Sequence, residues 1–203
     1  MSLTVSESGS NFEKCPEGTH PARCYKLIDL GSQETEWQGQ KKQSRKILIQ
    51  FEILGDERMS DGRPYLLSKR VTASLGEAAA LRKMLESWRG KAFTADELRA
   101  FDLTKLLGSY ALVNVVHAEK NGRTYANLAG IMPLPKGMPR PEPINDLGHF
   151  DLAMPDWETF DSLSDSLKAV IAASPEYKAA SRRLPGEDDA PAGGFDIDED
   201  APW

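Results

Sequence analysis

Residues 46–54, KILIQFEIL, alternate with a period of two. Ile47, Ile49, Phe51 and Ile53 fall on one side, and Lys46, Gln50 and Glu52 on the other. That is the pattern of a strand with one buried face, and such a strand is stable only inside a sheet that covers a core. The preceding segment, WQGQKKQSR (37–45), carries Lys41, Lys42 and Arg45 with no acid and reads as a loop. A turn is expected at SDGRP (60–64), where Asp-Gly and Pro supply the turn chemistry. A second β-rich run over 65–75 then carries Lys69 and Arg70. Residues 37–75 hold eight Lys/Arg against four Asp/Glu, and a basic strand pair with aromatics at its ends suits an extended polyanion.

The other elements follow from periodicity and punctuation. Residues 22–30 read as a strand ended by Gly31, and 32–43 as a polar connection carrying Trp37. Ser74 and Glu77 have capping-box spacing. Leu81, Met84, Leu85 and Trp88 recur at helical spacing, with Gly90 placed for a left-handed C-cap. TADE (94–97) marks a short second helix, and DLTKLLG (102–108) one more turn. Residues 110–117 form a strand, Asn121-Gly122 a hairpin turn, and 124–132 its partner. Phe51, Trp88, Phe101 and Tyr110 are assigned to the core. The reading is mainly β: five strands with a helix between the third and fourth, the arrangement of an OB-fold barrel.

Beyond the body, PLPKGMPRPEP (133–143) has five prolines in eleven residues and is a stiff strap. Trp157, Phe160, Leu163, Leu167 and Ile171 mark a small helical extension, with Ser162 or Ser164 as its cap and Ser174-Pro175 as its stop. It is too small for its own core and is expected to dock on the barrel or on a second subunit of a homo-oligomer. The expected organisation is a flexible N-terminus (1–14), an OB-fold domain (15–135), a strap with its helical extension (136–177) and a disordered acidic tail (178–203).

Charge is unevenly placed. Residues 187–203 hold seven acids and no base; removing their −7 from the net −6 leaves the rest at +1. Such asymmetry points to nucleic-acid contact by the body. No apolar run approaches the ~20 residues of a membrane helix, and the first ten residues lack the features of a signal peptide; a cytoplasmic location is expected. Cys15 and Cys24 make no disulfide framework. With His20 between them, and His117 and His149 far away, they lack the ligand spacing of a zinc site. The motifs of phosphate loops, nucleophile elbows and zinc proteases are missing, so neither an enzyme nor a metal or cofactor is expected.

The candidate contacts are cations for phosphates (Lys41, Lys42, Arg45, Lys46, Arg63, Lys69, Arg70 and Arg123) and rings for bases (Trp37, Tyr65 and Tyr125). The rings lie in or beside the basic segments, and stacking on such rings is sequence-tolerant. In the tail, Asp196, Asp198, Glu199, Asp200, Pro202 and Trp203 combine acids with an aromatic anchor, a pattern captured by basic-rimmed pockets on other proteins.

The ending Asp200-Ala-Pro-Trp203 is similar to the C-terminal tips of bacterial and phage single-stranded DNA-binding proteins, which recruit replication and repair partners; the usual bacterial tip ends Asp-Ile-Pro-Phe. The body resembles a family of phage and prophage replication-associated OB-fold proteins in LRKMLESWRG (81–90), FDLTKLLG (101–108), NGRTYANL (121–128), PLPKG (133–137) and SPEY (174–177). The resemblance spans roughly residues 16–177. It implies a protein that coats single-stranded DNA during replication or recombination in a bacterial host cytoplasm and recruits partners through its tail. A strand-annealing recombination accessory, and an interaction module that binds no DNA, are the alternatives.

Overall fold

The computed structural model describes residues 13–37 and 40–182, with backbone only at 36 and 37. In order come β1 (Gly18–Trp37), β2 (Gln40–Ile53), β3 (Leu66–Thr72), α1 (Ala80–Arg89), α2 (Ala95–Arg99), a 3-10 turn (Leu103–Leu106), β4 (Tyr110–Lys120), β5 (Arg123–Pro133), β6 (Gly148–Phe150), α3 (Trp157–Asp161), α4 (Asp165–Ala172) and α5 (Pro175–Ser181). The protein is mainly β. The sheet runs β3-β2-β1-β4-β5 with antiparallel neighbours, and β6 joins β1 in parallel. The five expected strands are present with α1 between the third and fourth. β6 is an addition, and the sheet is open.

The outer strands β3 and β5 bring Cα atoms within 8 Å of each other, but no backbone ladder joins them among the described residues. Lys69 explains part of this. It stands opposite Ile49 on the inward face of β3, and its Nζ donates to the Leu128 carbonyl of β5 at 3.2 Å. An inward-pointing charge is a recognised way to end strand pairing at an edge.

Two apolar clusters hold the fold. The first lies under the inner face: Ile47, Ile49, Phe51 and Ile53 meet Leu81, Leu85 and Trp88 of α1 and Val113, Val115, Leu128 and Ile131 of β4 and β5. Phe51 and Trp88 lie 5.3 Å apart between centroids, and the indole N–H donates to the Tyr110 carbonyl at 2.9 Å. The second cluster covers the other face of β1 and β2, where Ile28, Leu30 and Leu48 pack against Phe150, Leu152, Phe160, Leu163 and Ile171. The helical extension therefore docks on the chain's own sheet.

Several local expectations need correction. β1 does not end at Gly31: the glycine takes φ 67° at a register shift, and the strand continues to Trp37. A Cβ there would collide with Ser174, so the bulge lets the start of α5 approach. The supposed loop of residues 32–45 is a hairpin, Ser32 opposite Arg45 through to Trp37 opposite Gln40. Period two marks only half-buried strands, whereas residues 34, 35 and 40–43 of this hairpin are exposed.

The Ser74 box does not form. Ser74 Oγ accepts from the Gly76 N–H instead, at 3.2 Å, and α1 starts after Ala79, where its apolar stripe reaches the core. By contrast the Thr94/Glu97 box, the Gly90 cap at φ 65° and the Asn121-Gly122 turn form as read. Ser174 is the N-cap of α5, accepting from Tyr177 N–H at 3.1 Å, with Pro175 beginning the helix. Residues 178–181, assigned to the tail, belong to that helix; residues 1–12 and 183–203 lie outside the described residues.

Glu52 is the largest departure. Placed by alternation on a solvent face, it is 0% exposed. Its Oε1 meets Arg23 Nε at 2.6 Å, and its Oε2 accepts from the backbone and side-chain N–H groups of Asn145, both at 2.8 Å. Arg23 also donates to the Asn145 carbonyl. The strap thus crosses the outer face and is bonded there by a buried ion pair.

The extension has a second polar attachment. Ser32 donates through its N–H, at 2.8 Å, and its hydroxyl to the Glu176 carboxylate, and Gln33 Nε2 donates to the Val170 carbonyl at 3.0 Å. Burial opposes the charge on Glu176, but the Ser32 bonds and Arg45 outweigh it and hold the carboxyl below its ordinary 4.5. A depressed folded value contributes stability that is complete above the unfolded value and lost as pH falls through the folded one. Hydrogen exchange in α5 is therefore expected to accelerate as pH drops below about 4.5, relative to the intrinsic rate, and Glu176→Gln to remove that pH dependence. An identical profile in the variant would exclude Glu176 as the acid-sensitive contact.

Candidate nucleic-acid interface

The β1–β2 hairpin projects as an arm, and residues 34, 35 and 40–43 are exposed. Lys41 pairs with Glu34 at 2.8 Å, so its charge is partly answered within the arm. Lys42 is exposed, with no carboxylate partner among the described residues. The Trp37 backbone lies at the arm's end; its side chain falls outside the described residues.

At the arm's base Arg45 is bound to the buried Asp29 through Nε (3.2 Å) and Nη2, with Asp151 at 3.6 Å. Asp29 also accepts from the N–H groups of Gly31 (3.0 Å) and Leu152 (3.3 Å). Arg45 is therefore a strut between arm and extension. Beside it lies a cleft of about 390 Å³ lined by Leu27, Phe101, His149 and Asp151 among others.

On the outer face of β2 and β3, Lys46 stands opposite Thr72, Leu48 opposite Arg70 and Gln50 opposite Ser68. Lys46 Nζ donates to the Thr72 hydroxyl at 2.7 Å, which aligns the ammonium without neutralising it. Arg70 is exposed. At the preceding turn Arg63 pairs with Asp61 at 2.6 Å, and Tyr65 is half-buried against the inner core.

The β4–β5 hairpin closes through Asn121 at φ 53° and Gly122 at φ 70°, a two-residue turn with both central residues at positive φ, as type I′ requires. Its register sets Lys120 opposite Arg123 and Ala118 opposite Tyr125. Residues two apart share a face, so Arg123 and Tyr125 lie on one surface with Lys120. Tyr125 is 47% exposed. Lys120 was missed in the sequence, although the register of a two-residue hairpin was enough to find it.

The candidates sort into two sets. Lys42, Lys46, Arg70, Arg123 and Tyr125 present charge or ring to solvent; Lys41, Arg45, Arg63 and Lys69 are engaged by carboxylates or a carbonyl, and Tyr65 by the core. Arg70 adjoins Lys69, which reaches Leu128, and Tyr125 is three residues from Leu128 on the outward side. Tyr125 and Leu128 lie about 10 Å apart along β5, and β3 and β5 approach within 8 Å between Cα atoms, so Arg70 and Tyr125 stand on the outward side of neighbouring strands.

Two of the three histidines serve the backbone. His20 Nε2 lies 3.0 Å from the Pro16 carbonyl and His117 Nε2 2.8 Å from that of Cys15, which fastens the segment leading into β1. Burial pushes the Cys15 thiol up to about 11 and the Cys24 thiol to about 12, so both stay protonated at neutral pH. Among the described residues no group of three or more His, Cys, Asp or Glu could hold a metal ion, and no helix is long and apolar enough to cross a membrane. In comparisons with known proteins, the chain matches no family model and no curated sequence.

Proposed function

We propose that this chain binds single-stranded DNA as an OB-type protein, coating strands exposed during phage replication or recombination in a bacterial cytoplasm. Strand order supports the fold: β3 and β5 flank each other after β3-β2-β1-β4-β5, and α1 follows the third strand, the connectivity of the five-stranded Greek-key barrel. The observation that carries the function is Tyr125, an exposed ring beside Arg123 and Lys120 on the surface that continues to Arg70. Rings of this kind stack bases at ~1–3 kcal/mol each, while neighbouring cations take the phosphates. Residues 196–203 recruit replication or recombination proteins in this reading, by resemblance to single-stranded DNA-binding tips.

Anisotropy of a labelled oligo-dT titrated with the full chain tests the reading. Tight binding at low salt is expected, with log affinity falling by ~0.7 per neutralised phosphate per decade of salt. No anisotropy change in dilute buffer would remove the proposal. Pairing of complementary strands by the same protein would favour the annealing alternative.

A further inference from the structure

Between the turn at 107–110 and the segment 133–140 lies a second cleft, of about 610 Å³, within the ~300–1,000 Å³ range of ligand sites. Its lining includes Lys136 and Arg140 and no Asp or Glu. Both cations are exposed, and neither has a carboxylate partner among the described residues. The Arg140 guanidinium lies 5.6 Å from the centroid of the Tyr110 ring, and the Tyr110 hydroxyl donates to the Pro141 carbonyl at 3.0 Å. Tyr110, Pro133, Pro135 and Met138 supply apolar surface. Two unanswered cations above an aromatic and proline wall make a site for an anion joined to an apolar group.

The chain itself carries a segment of that chemistry. Residues 187–203 hold seven acids and no Lys or Arg, together with Phe195, Pro202 and Trp203. We propose that the cleft takes residues 196–203 of the same chain, with the carboxylates of Asp196, Asp198, Glu199 and Asp200 facing Lys136 and Arg140 and the Trp203 ring on Met138 and the prolines. Chain length allows it. At ~3.3–3.6 Å per residue the 21 residues after Arg182 span up to about 70 Å, whereas a body of this size has a radius of gyration near ~15 Å. This inference does not depend on DNA binding.

The test is ¹⁹F NMR of the full chain labelled with 5-fluorotryptophan, with the Trp203 signal assigned by Trp203→Phe. At low salt the Trp203 signal is expected to be displaced from its position in a free peptide of residues 196–203. It should return there in 1 M salt, where the screening length falls to ~3 Å, and in the double variant Lys136→Glu, Arg140→Glu. The Trp88 signal, from a ring 4% exposed, reports whether the variant is folded. A Trp203 signal at the free position in low salt overturns the proposal, as does a displacement that the double variant leaves unchanged. A displacement that grows with protein concentration would put the segment on a second copy and overturn it equally. So would a variant whose only change is weaker oligonucleotide binding, which would assign the cleft to the strand.

Discussion

Arg23→Ala should destabilise the protein by about 3–5 kcal/mol, the usual cost of stripping one partner from a buried ion pair. Glu52 is 0% exposed and would be left in the interior without the guanidinium now 2.6 Å away. The Asn145 N–H groups would remain, but they do not cancel a full charge. Urea unfolding followed by circular dichroism reads the loss as a lower midpoint at unchanged slope. Replacing both partners, Arg23→Met with Glu52→Leu, should recover much of it, because an apolar pair of similar volume carries no desolvation penalty. Asn145 would then lose its acceptor, so the strap should become the first site of proteolysis in the double variant. A cost below about 1 kcal/mol for Arg23→Ala would mean that water reaches Glu52 and that the strap does not seal this face.

The second large effect concerns binding. Under the proposed function, alanine at Lys42, Arg70 and Arg123 together should lower the salt slope for oligo-dT by about 2, at ~0.7 per phosphate contact. Between 1 M and 0.1 M salt that amounts to a loss of roughly a hundredfold in relative affinity. Lys41→Ala with Arg63→Ala is the control: each of these cations already has a carboxylate partner, at 2.8 and 2.6 Å, so the slope should hardly move. Tyr125→Ala should weaken binding without altering the slope, since stacking releases no counterions. If the control pair matters as much as the triple set, the surface built on β3 and β5 is not the interface.

How far the sequence revealed the candidate surface depended on the range of the interactions. The turn beside Arg123 and Tyr125 was legible because an Asn-Gly pair is a local signal, and it forms where the sequence puts it. Arg45 looked like a phosphate contact because its own segment holds no acid; its actual partner, Asp29, stands opposite Ile47 and comes within reach only when β1 and β2 pair. Lys69 looked solvent-facing for a related reason. Its inward direction follows from alternation with Leu67 and Val71, both buried, but its destination lies on β5, 59 residues away.

Composition and pattern determined the mainly β class, the inner face of β2, the apolar stripe of α1 and the position of the β4–β5 turn. These depend on residues within a few positions of one another, where backbone geometry alone decides which side chains meet. Tertiary structure decided the rest: the covering of the outer face, the burial of Glu52, the arm in place of a loop, and which cations remain available to a ligand. Each rests on contacts across long separations, such as Ser32 with Glu176, and whether a charge is paired or desolvated is a property of those contacts, which no local pattern records.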